Sequence, residues 1–514
     1  MNGAESLVRT LIAGGVDTCF ANPGTSEMHF VAALDRVAGM RCVLGLFEGV
    51  VSGAADGYGR MADKPAATLL HLGPGLGNAL ANLHNACKAA TPIINIVGDH
   101  ATRHRQYDAP LTSDVEGVAR PMSAWVKTSD DARSVARDGA EAVTVSLTGA
   151  GQVATLILPA DTAWGESDGP AAVQSPPSKR RVSEEMVAEA RAALLSDEPT
   201  LLLIGGRALR SAPLEMASRI AQATGAKLLA PTSNARIERG AGRVALDRIF
   251  YPVQQALDQL SGFRRVVLIG ARNPVAFFAY PGKPSLVLPP GCTVHVLAEP
   301  EDDIAEALER LADAVGAGDR KPVLQPLSRP ELPRGAISLE TIGALIGALL
   351  PENAIVVDES INSGGFIYPS TAGAPAHDWL QLTGGSIGIG LPLATGAAVA
   401  CPDRRVVALQ ADGSGMYTLQ ALWTHARENL NITTVIFSNR AYASLETELK
   451  NVGAMNPGQI ALDMLDLSRP DLNWVKLAEG MGVEAARAES LESLSCLFSE
   501  SLKRPGPFLI EVPC

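Results

Sequence analysis

A group of small and polar residues in the C-terminal third of the chain could bind a metal ion together with a phosphate group. One apolar run leads into Asp412-Gly413-Ser414, and a second leads into Asn439. If both runs are strands of a parallel sheet, their ends meet at the edge where ligands usually bind, so Asp412 and Asn439 would lie side by side as oxygen donors. Gly413 and Ser414 would begin a helix, whose N-terminus suits a phosphate. The pattern is typical of a Mg²⁺ site that relies on substrate phosphates. The same residues could also be the polar ends of two ordinary strand-to-helix turns.

Three residues nearer the N-terminus could do acid–base or hydrogen-bonding chemistry. Thr25 lies in the turn 22–26, Glu48 begins a predicted helix, and His71 ends a predicted strand. The three should fall on one sheet edge, which places a hydroxyl, a carboxyl and an imidazole near one another. Each also has a simpler explanation. Thr25 could be a helix N-cap, Glu48 an acid favoured by the helix dipole, and His71 a buried imidazole with satisfied hydrogen bonds.

Residues 73–78, GPGLGN, suggest a competing function. A strand, a Gly-rich turn, a helix, a second strand and then Asp99 imitate a dinucleotide-binding fingerprint, which would make the protein an NAD-dependent oxidoreductase. Against this interpretation, Pro74 removes an N–H group that would face a pyrophosphate. It also leaves Asp412 and Asn439 without a role.

The elements that must position these residues form three α/β blocks. We predict domains over residues 1–165, 184–316 and 338–514, joined by Pro-rich linkers at 165–181 and 318–335. Alternation of strand and helix patterns predicts parallel sheets covered on both faces, hence an α/β fold of three doubly wound domains. The first and third blocks are candidates for a duplicated fold. The predicted strands are 18–21, 41–46, 66–71, 92–97 and 153–158 in the first block, 200–204, 227–230, 266–269 and 293–297 in the second, and 354–358, 405–410, 432–437 and 507–511 in the third.

The composition excludes several classes of function. The 514 residues carry a net charge of −12 and no dense basic stripe, which disfavours nucleic acid as a partner. No apolar run approaches the roughly 18 residues that a membrane span needs. The pattern of the N-terminal segment predicts an amphipathic helix and is not typical of a signal peptide. Seven cysteines without a CxxC pair predict reduced thiols in a cytoplasmic protein.

Taken together, these segments resemble the thiamine-diphosphate-dependent decarboxylase and acetolactate synthase superfamily. Asp412-Gly413-Ser414, followed by Asn439 after 27 residues, resembles its cofactor and Mg²⁺ motif. Glu48 in FEGVVSGAADGYGR resembles its activating glutamate. The three-block layout matches its pyrimidine-binding, central and diphosphate-binding domains. The N-terminal half is most similar to benzoylformate decarboxylase, with Thr25 in place of a pocket serine and His71 in LLHLGPGLGNALANLHNA as an active-site histidine.

The resemblance implies a role for each candidate residue. Thiamine diphosphate and Mg²⁺ would be the cofactors. Glu48 would protonate the aminopyrimidine ring, His71 would transfer protons to the reacting carbon, and Thr25 would hydrogen-bond the substrate. The implied diphosphate ligands are Asn362, Gly413, Ser414 and Tyr442, and the implied metal ligands are Asp412, Asn439 and the Ala441 carbonyl. The Gly385 carbonyl would accept from the cofactor amino group, and Ile387 would support its bent conformation.

The sequence also departs from both named families. A second active-site histidine of benzoylformate decarboxylase is missing, and its region reads NPVAFFAYPGKP, with Phe277 and Phe278. Gln381 and Glu448 stand where apolar pocket residues are expected. Acetolactate synthase is a partial match, because its tryptophan after the metal motif and a clear flavin signature are absent.

The resemblance implies decarboxylation of a 2-oxo acid through a carbanion or enamine at C2 of the cofactor. An acetolactate-synthase-like carboligase that joins two 2-oxo acids is the nearest alternative, and a non-catalytic paralogue is a further one. Because Glu48 and Asp412 lie in different blocks, the resemblance implies a homodimer or homotetramer with the active site between subunits.

Overall fold

The computed structural model describes all 514 residues and contains three β-sheets, each within an α/β layer arrangement. The predicted fold class is confirmed, because the sheets are parallel except for one short strand. No helix combines the length and apolar character that crossing a membrane requires.

The first sheet has six parallel strands in the order β2-β1-β3-β4-β6-β5. Successive residues of β3 point to opposite faces: Leu69 packs in one apolar cluster and Leu70 in another. Both faces are therefore covered by helices, as buried parallel strands require. The strands are β1 (Thr18–Ala21), β2 (Arg41–Leu44), β3 (Ala66–Leu70), β4 (Ile93–Asp99), β5 (Trp125–Thr128) and β6 (Val153–Pro159). The helices are α1 (Gly3–Ala13), α2 (Met28–Arg36), α3 (Glu48–Ala62), α4 (Leu72–Ala89), α5 (Val115–Ala119), α6 (Val135–Ser146) and α7 (Ala160–Trp164).

The second sheet has five parallel strands in the order β10-β8-β7-β11-β12. Numbered in chain order, they are β7 (Thr200–Ile204), β8 (Lys227–Ala230), β10 (Asp247–Arg248), β11 (Arg265–Ile269) and β12 (Thr293–Ala298). The helices around it are α8 (Glu184–Leu194), α9 (Ser211–Thr224), α10 (Val253–Leu260) and α11 (Ile304–Ala314).

The third sheet has seven strands in the order β17-β18-β16-β15-β13-β14-β9. The strands are β9 (Ile237–Arg239), β13 (Ile355–Glu359), β14 (His377–Gln381), β15 (Val406–Ala411), β16 (Ile432–Ser438), β17 (Glu484–Arg487) and β18 (Phe508–Pro513). The helices are α12 (Leu339–Leu349), α13 (Ile367–Ser370), α14 (Gly390–Ala400), α15 (Asp412–Gly415), α16 (Ala421–Arg427), α17 (Ala443–Asn451), α18 (Gln459–Asp463), α19 (Trp474–Gly480) and α20 (Leu491–Lys503).

The first and third sheets have the same topology. Read from β14, the third sheet runs β14-β13-β15-β16-β18-β17, which repeats the order of the first sheet strand for strand. In this order the chain reverses direction across the sheet between the first and third strands, and ligands bind at the carboxyl end of such a reversal. In the first sheet that position lies after β1 and β3, and in the third it lies after β13 and β15.

Helices α3 and α14 join these two sheets. An alanine methyl at Gly396 would collide with the Ala54 carbonyl, and one at Gly57 would collide with the Leu393 carbonyl. The helices can approach this closely only because both positions lack a side chain. One apolar core therefore continues from the first sheet through α3 and α14 into the third sheet.

The short strand β9 comes from the predicted central block but completes the third sheet. It pairs antiparallel with β14, with Ile237 opposite Trp379. The Arg239 guanidinium stacks 3.6 Å from the centre of the Tyr368 ring, and it donates a hydrogen bond of 2.7 Å to Thr371. The domain boundaries remain predictions. β9 lies within the predicted central domain, 184–316, but pairs with a strand of the predicted third domain.

Candidate active site

The carboxylate of Asp412 lies at the turn between β15 and α15 and is 1% exposed. One oxygen accepts from the Gly413 N–H at 2.8 Å and the other from the Arg440 N–H at 2.7 Å. No basic side chain lies within ion-pair distance of Asp412, and burial raises its pKa. A buried carboxylate in this state is stabilised by a cation that replaces the lost water.

Asn439 and Ala441 add two further oxygens beside Asp412. The Asn439 side-chain oxygen accepts from the Ala441 N–H at 3.0 Å, and the intervening Arg440 has a positive φ of 58°. The Ala441 carbonyl accepts no hydrogen bond from the chain. Together with Asp412 these groups form an all-oxygen donor set, which suits a hard divalent ion.

Eight of the predicted cofactor and metal residues line one cavity. Gly413 is required there, because a Cβ at this position would lie 2.7 Å from the Tyr442 ring. The Ser414 hydroxyl accepts from the Gln410 amide at 2.6 Å. These eight lining residues are Asn362, Ile387, Asp412, Gly413, Ser414, Asn439, Ala441 and Tyr442. The third sheet thus places them at its ligand-binding edge.

Gly385 lies on the neighbouring loop and is not among the residues that line this cavity. Its φ of 78° favours glycine, and a Cβ there would lie 2.8 Å from the Phe277 ring. Phe277, which occupies the region of the missing second histidine, therefore packs directly against the loop before α14. Gln381 is buried in β14, and Glu448 accepts a hydrogen bond of 3.2 Å from Tyr280.

Glu359 holds the loop before α14 through hydrogen bonds, and it was not among the site residues predicted from the sequence. Its buried carboxylate accepts backbone N–H groups of Gly388 and Gly390, each at 2.8 Å, and the Gln410 amide at 3.0 Å. Burial raises the pKa of Glu359, although these hydrogen bonds oppose the shift. The carboxylate therefore fixes the loop that carries Ile387 relative to the residue that bonds Ser414.

In the N-terminal half, Glu48 begins α3 and is 7% exposed. Its Oε2 accepts from the Asn78 amide at 3.0 Å, whereas Oε1 accepts no hydrogen bond from the chain. A Cβ at Gly75 would lie 2.8 Å from this free oxygen and 3.3 Å from the Cβ of His71. The missing side chain at Gly75 thus lets Glu48 and His71 lie close together.

His71 and Thr25 line a second cavity of about 350 Å³. The His71 Nδ1 lies 2.9 Å from the carboxylate of Glu27, which is 2% exposed. Glu27 also accepts from the Gly24 N–H at 2.7 Å and from the Ser26 hydroxyl. Because the carboxylate accepts, Nδ1 is the donor and Nε2 is left available for acid–base work.

The interpretation of residues 73–78 as a Gly-rich loop is wrong. They form the first turns of α4, which begins at Leu72 with a positive φ of 48°. Pro74 is tolerated there because the N–H groups of the first helical turn have no partner within the helix. A side chain at Gly73 would collide with Ser113, and one at Gly75 would collide with Glu48. No open Gly-rich turn remains for a dinucleotide.

The chain does not bring its two candidate cavities together. Thr25 and His71 line the N-terminal cavity, the metal and phosphate candidates line the C-terminal one, and no residue lines both. Ten of the predicted residues therefore fall into two groups, at equivalent edges of two sheets with the same topology. Glu48 and Gly385 line neither cavity. We call the N-terminal group with Glu48 and the C-terminal group with Gly385 the two candidate half-sites.

Comparison with known proteins decides the family. The N-terminal TPP binding domain of thiamine pyrophosphate enzymes matches residues 1–119, and the C-terminal TPP binding domain matches residues 370–512. A protein of Mycobacterium tuberculosis described as "Putative acetolactate synthase large subunit IlvX" is 54% identical over all of this chain and 99% of its own length. The chain belongs to the thiamine pyrophosphate enzymes.

Two other members of this enzyme family extend the comparison. Benzoylformate decarboxylase of Pseudomonas aeruginosa is 28% identical over 97% of this chain and 96% of its own length. The solved thiamine diphosphate-dependent 4-hydroxybenzoylformate decarboxylase of Rhodococcus jostii RHA1 superposes with a TM-score of 0.86, covering 100% of this chain and 99% of its own. Its sequence identity is 24%, so this likeness concerns the fold. The protein is thus an enzyme of the thiamine-diphosphate-dependent decarboxylase and acetolactate synthase class.

The residues of both half-sites are chemically suited to thiamine diphosphate, the cofactor of this family. The buried Asp412 without a counter-ion and the unbonded Ala441 carbonyl suit a metal ion that binds a diphosphate. The free Oε1 of Glu48 suits a ring nitrogen that needs a buried acid.

Proposed function

We propose that the chain is a thiamine-diphosphate- and Mg²⁺-dependent decarboxylase of 2-oxo acids. The observation that carries this choice is the Glu27–His71 pair on the wall of the N-terminal cavity. A decarboxylase must return a proton to the carbon that has lost CO₂, and an imidazole with one nitrogen fixed and the other free suits that step.

The C-terminal half-site is proposed to hold the metal and the diphosphate. Asp412, Asn439 and the Ala441 carbonyl would bind Mg²⁺, and Asn362, Gly413, Ser414 and Tyr442 would contact the diphosphate. Ile387 and the Gly385 carbonyl would orient the cofactor rings. The shared cavity and the all-oxygen donor set support these assignments.

The N-terminal half-site is proposed to control protons. When bound, thiamine diphosphate supplies a ring carbon that adds to the substrate carbonyl and an electron sink for the pair released with CO₂. Glu48 would hold a proton between its free Oε1 and the aminopyrimidine nitrogen. His71 would deliver a proton from Nε2, while Glu27 fixes its orientation. Thr25 would donate a hydrogen bond to the substrate.

The complete active site is proposed to form between two subunits of a homodimer or homotetramer. The two cavities share no lining residue. Glu48 lies close to His71, which lines one of them, whereas Asp412 lines the other. This separation supports the arrangement, because one cofactor would have to reach both Glu48 and Asp412. The seven free thiols support a reducing compartment, and we assign the enzyme to the cytoplasm.

A carboligase is the second candidate function, favoured by the similarity to the M. tuberculosis protein. In that case the product would join two 2-oxo acids, and His71 would not supply a proton to the carbon that has lost CO₂. The two functions share the half-sites and differ in the product.

The test is a screen of 2-oxo acids with thiamine diphosphate and Mg²⁺, in which CO₂ and organic products are both measured. Release of CO₂ with an aldehyde supports the decarboxylase. Pyruvate converted to acetolactate or acetoin supports the carboligase. Absence of CO₂ from every 2-oxo acid, in protein shown by calorimetry to bind the cofactor, would overturn both. Removal of Mg²⁺ with a chelator should abolish the activity.

A further inference from the structure

The N-terminal cavity has a basic wall that the proposed chemistry does not use. His100, Arg103 and His104 lie on the segment after β4, and they line the same cavity of about 350 Å³ as Thr25 and His71. Proton transfer at the reacting carbon requires His71 alone. The additional basic groups therefore need another explanation.

The positive charge that Arg103 gives this wall is not neutralised within the chain. Asp99 is the one acidic residue that lines the cavity, and its carboxylate is occupied by Arg105 at 2.6 Å and by the His100 N–H at 2.7 Å. Arg103 forms no ion pair. The His100 Nε2 is buried and has no hydrogen-bond partner. An imidazole nitrogen that carries a hydrogen, and a free guanidinium, are both donors to an anion.

The segment that carries these groups is held in place. Thr102 bonds Asp161 through its N–H at 2.9 Å and through its hydroxyl at 2.5 Å. The Gln106 amide donates to the Arg103 carbonyl at 2.9 Å. Asp161 belongs to α7, which also supplies Ala160 and Trp164 to the cavity. The donors are therefore attached to the same framework as the apolar lining.

A cation is of little use on the carboxylate that leaves as CO₂. That group loses its charge during the reaction, so a strong ionic contact would stabilise the substrate more than the transition state. A second anionic group keeps its charge throughout the reaction. A cation therefore contacts it equally in the bound substrate and in the transition state, and the contact improves binding. Leu72, Leu111 and Trp164 line the same cavity and suit an aliphatic chain between two acidic groups.

We propose that the substrate is a 2-oxo acid with a second anionic group, which Arg103 and His100 bind. This inference rests on the proposed function and names its substrate class. A 2-oxo dicarboxylic acid is the simplest member, and a 2-oxo acid with a terminal phosphonate shares the chemistry.

The test compares substrates that differ only at the far end. Values of kcat/KM are measured for 2-oxoglutarate, for 2-oxopentanoate, in which a methyl group replaces the second carboxylate, and for a phosphonate analogue. We expect the charged substrates to be preferred, and we expect Arg103→Gln to reduce that preference by roughly tenfold or more, the worth of a charge-assisted hydrogen bond. The far-end group that gives the higher kcat/KM, carboxylate or phosphonate, identifies which of the two substrate types the site prefers.

The matched control is Arg137→Gln, which removes an exposed arginine from α6. It should leave kcat/KM unchanged for both charged and uncharged substrates. A wild-type preference for 2-oxopentanoate would overturn the proposal. So would equal losses for charged and uncharged substrates in Arg103→Gln, because that result would place Arg103 on the reacting carboxylate.

A binding measurement separates this inference from the proposed function. Calorimetry with glutarate, an unreactive diacid, against pentanoate, in which a methyl group replaces one carboxylate, needs no turnover. Tighter binding of glutarate that is lost in Arg103→Gln supports the anion site even if no 2-oxo acid is decarboxylated. Equal binding of both acids overturns the anion site even if decarboxylation is observed.

Discussion

At the scale of single residues, the contact between Glu27 and His71 determines what the imidazole can do. A carboxylate that accepts from Nδ1 fixes the ring orientation and leaves Nε2 as the free nitrogen. Glu27 itself lies behind His71 and does not line the cavity, so it is a positioning residue.

The first prediction concerns this positioning role. Glu27→Gln removes the charge but keeps the side-chain length, so we expect kcat to fall roughly tenfold or more. KM for the substrate should change little, because Glu27 does not line the cavity. Glu5→Gln, a surface change in α1, is the control and should alter neither kcat nor KM. An unchanged kcat with a raised KM would contradict the positioning role of Glu27.

The second prediction concerns Glu48. Glu48→Gln keeps the hydrogen bond to Asn78 within reach but cannot exchange a proton, so we expect activity to fall by about 10²–10⁴-fold. Cofactor affinity, measured by calorimetry, should change little, because the metal and diphosphate contacts lie on other elements. Turnover equal to that of the wild type would remove Glu48 from the acid–base chemistry.

The sequence singled out Thr25, Glu48, His71 and Asp412 as candidates because each lies at or after the end of a predicted strand, at the edge where ligands bind. It missed Glu27 and Glu359, because their partners are 44 and about 30–50 residues away and no local pattern marks such pairs. The one available signal for Glu27 was its position directly after the turn 22–26, next to Ser26. A glutamate at the end of an apolar strand was the corresponding signal for Glu359.

At the scale of elements, the packing of α3 on α14 connects the helix of Glu48 to the third sheet. The contact depends on glycines that let one helix backbone meet the other. Any added side chain must push the helices apart along the continuous core between the first and third sheets.

The third prediction tests this contact. Gly396→Ala should lower the free energy of unfolding by about 1–3 kcal/mol or more, because its methyl group would collide with the Ala54 carbonyl. Gly480→Ala is the matched control, since no atom lies within 4 Å of a Cβ at the end of α19. We expect the control to leave stability unchanged or slightly raised. Urea unfolding measures both, and equal values for the two variants would contradict the packing argument.

Most predicted strands agree with the structure to within one or two residues, because buried parallel strands are continuous apolar runs. The omitted strands lack that signal. β14, HDWLQ, is fully buried, yet its Asp378 is paired with Arg236 and Arg404, each at 2.5 Å, from distant segments. β5 and β17 are edge strands with mixed exposure. The start of α4 was misplaced because its glycines serve close packing, which sequence alone does not distinguish from a turn.

At the scale of the whole molecule, the proposed assembly places the two half-sites of one active site in different subunits. The fourth prediction is that mixed dimers recover activity. Glu48→Gln and Asp412→Asn subunits are each expected to be inactive, but random reassociation should leave about a quarter of all sites with both wild-type halves. Activity after mixing and refolding measures this.

The control is each variant refolded alone, which should stay inactive. Because complementation requires that Glu48 and Asp412 of one site come from different chains, no recovery in a mixture shown to contain heterodimers would contradict the shared site. An active monomer in sedimentation would contradict it as well.

The fifth prediction concerns pH and stability. Burial lowers the pKa of His425 to about 4, and its Nε2 is bonded to Leu391 and Thr395. Between about pH 6.5 and 4 the unfolded chain binds a proton that the folded chain does not, so the free energy of unfolding falls as pH is lowered, by up to about 1.4 kcal/mol per unit. His425→Gln should flatten this slope, whereas exposed His29→Gln should not. Urea unfolding at several pH values, at one protein concentration, measures the slopes; equal slopes in all three proteins would exclude His425 as a cause.

The antiparallel pairing of β9 with β14 sets a limit on how this chain can be recombined with its relatives. A chimera that replaced residues 184–316 alone would import a foreign edge strand, along with a foreign partner for the Tyr368 stack. A breakpoint in the segment before α8 avoids this, because β9 and β14 then come from the same parent protein. A swap of the first third, which carries the basic wall, must also keep the close contact of α3 with α14, so both parents need glycine at positions 57 and 396.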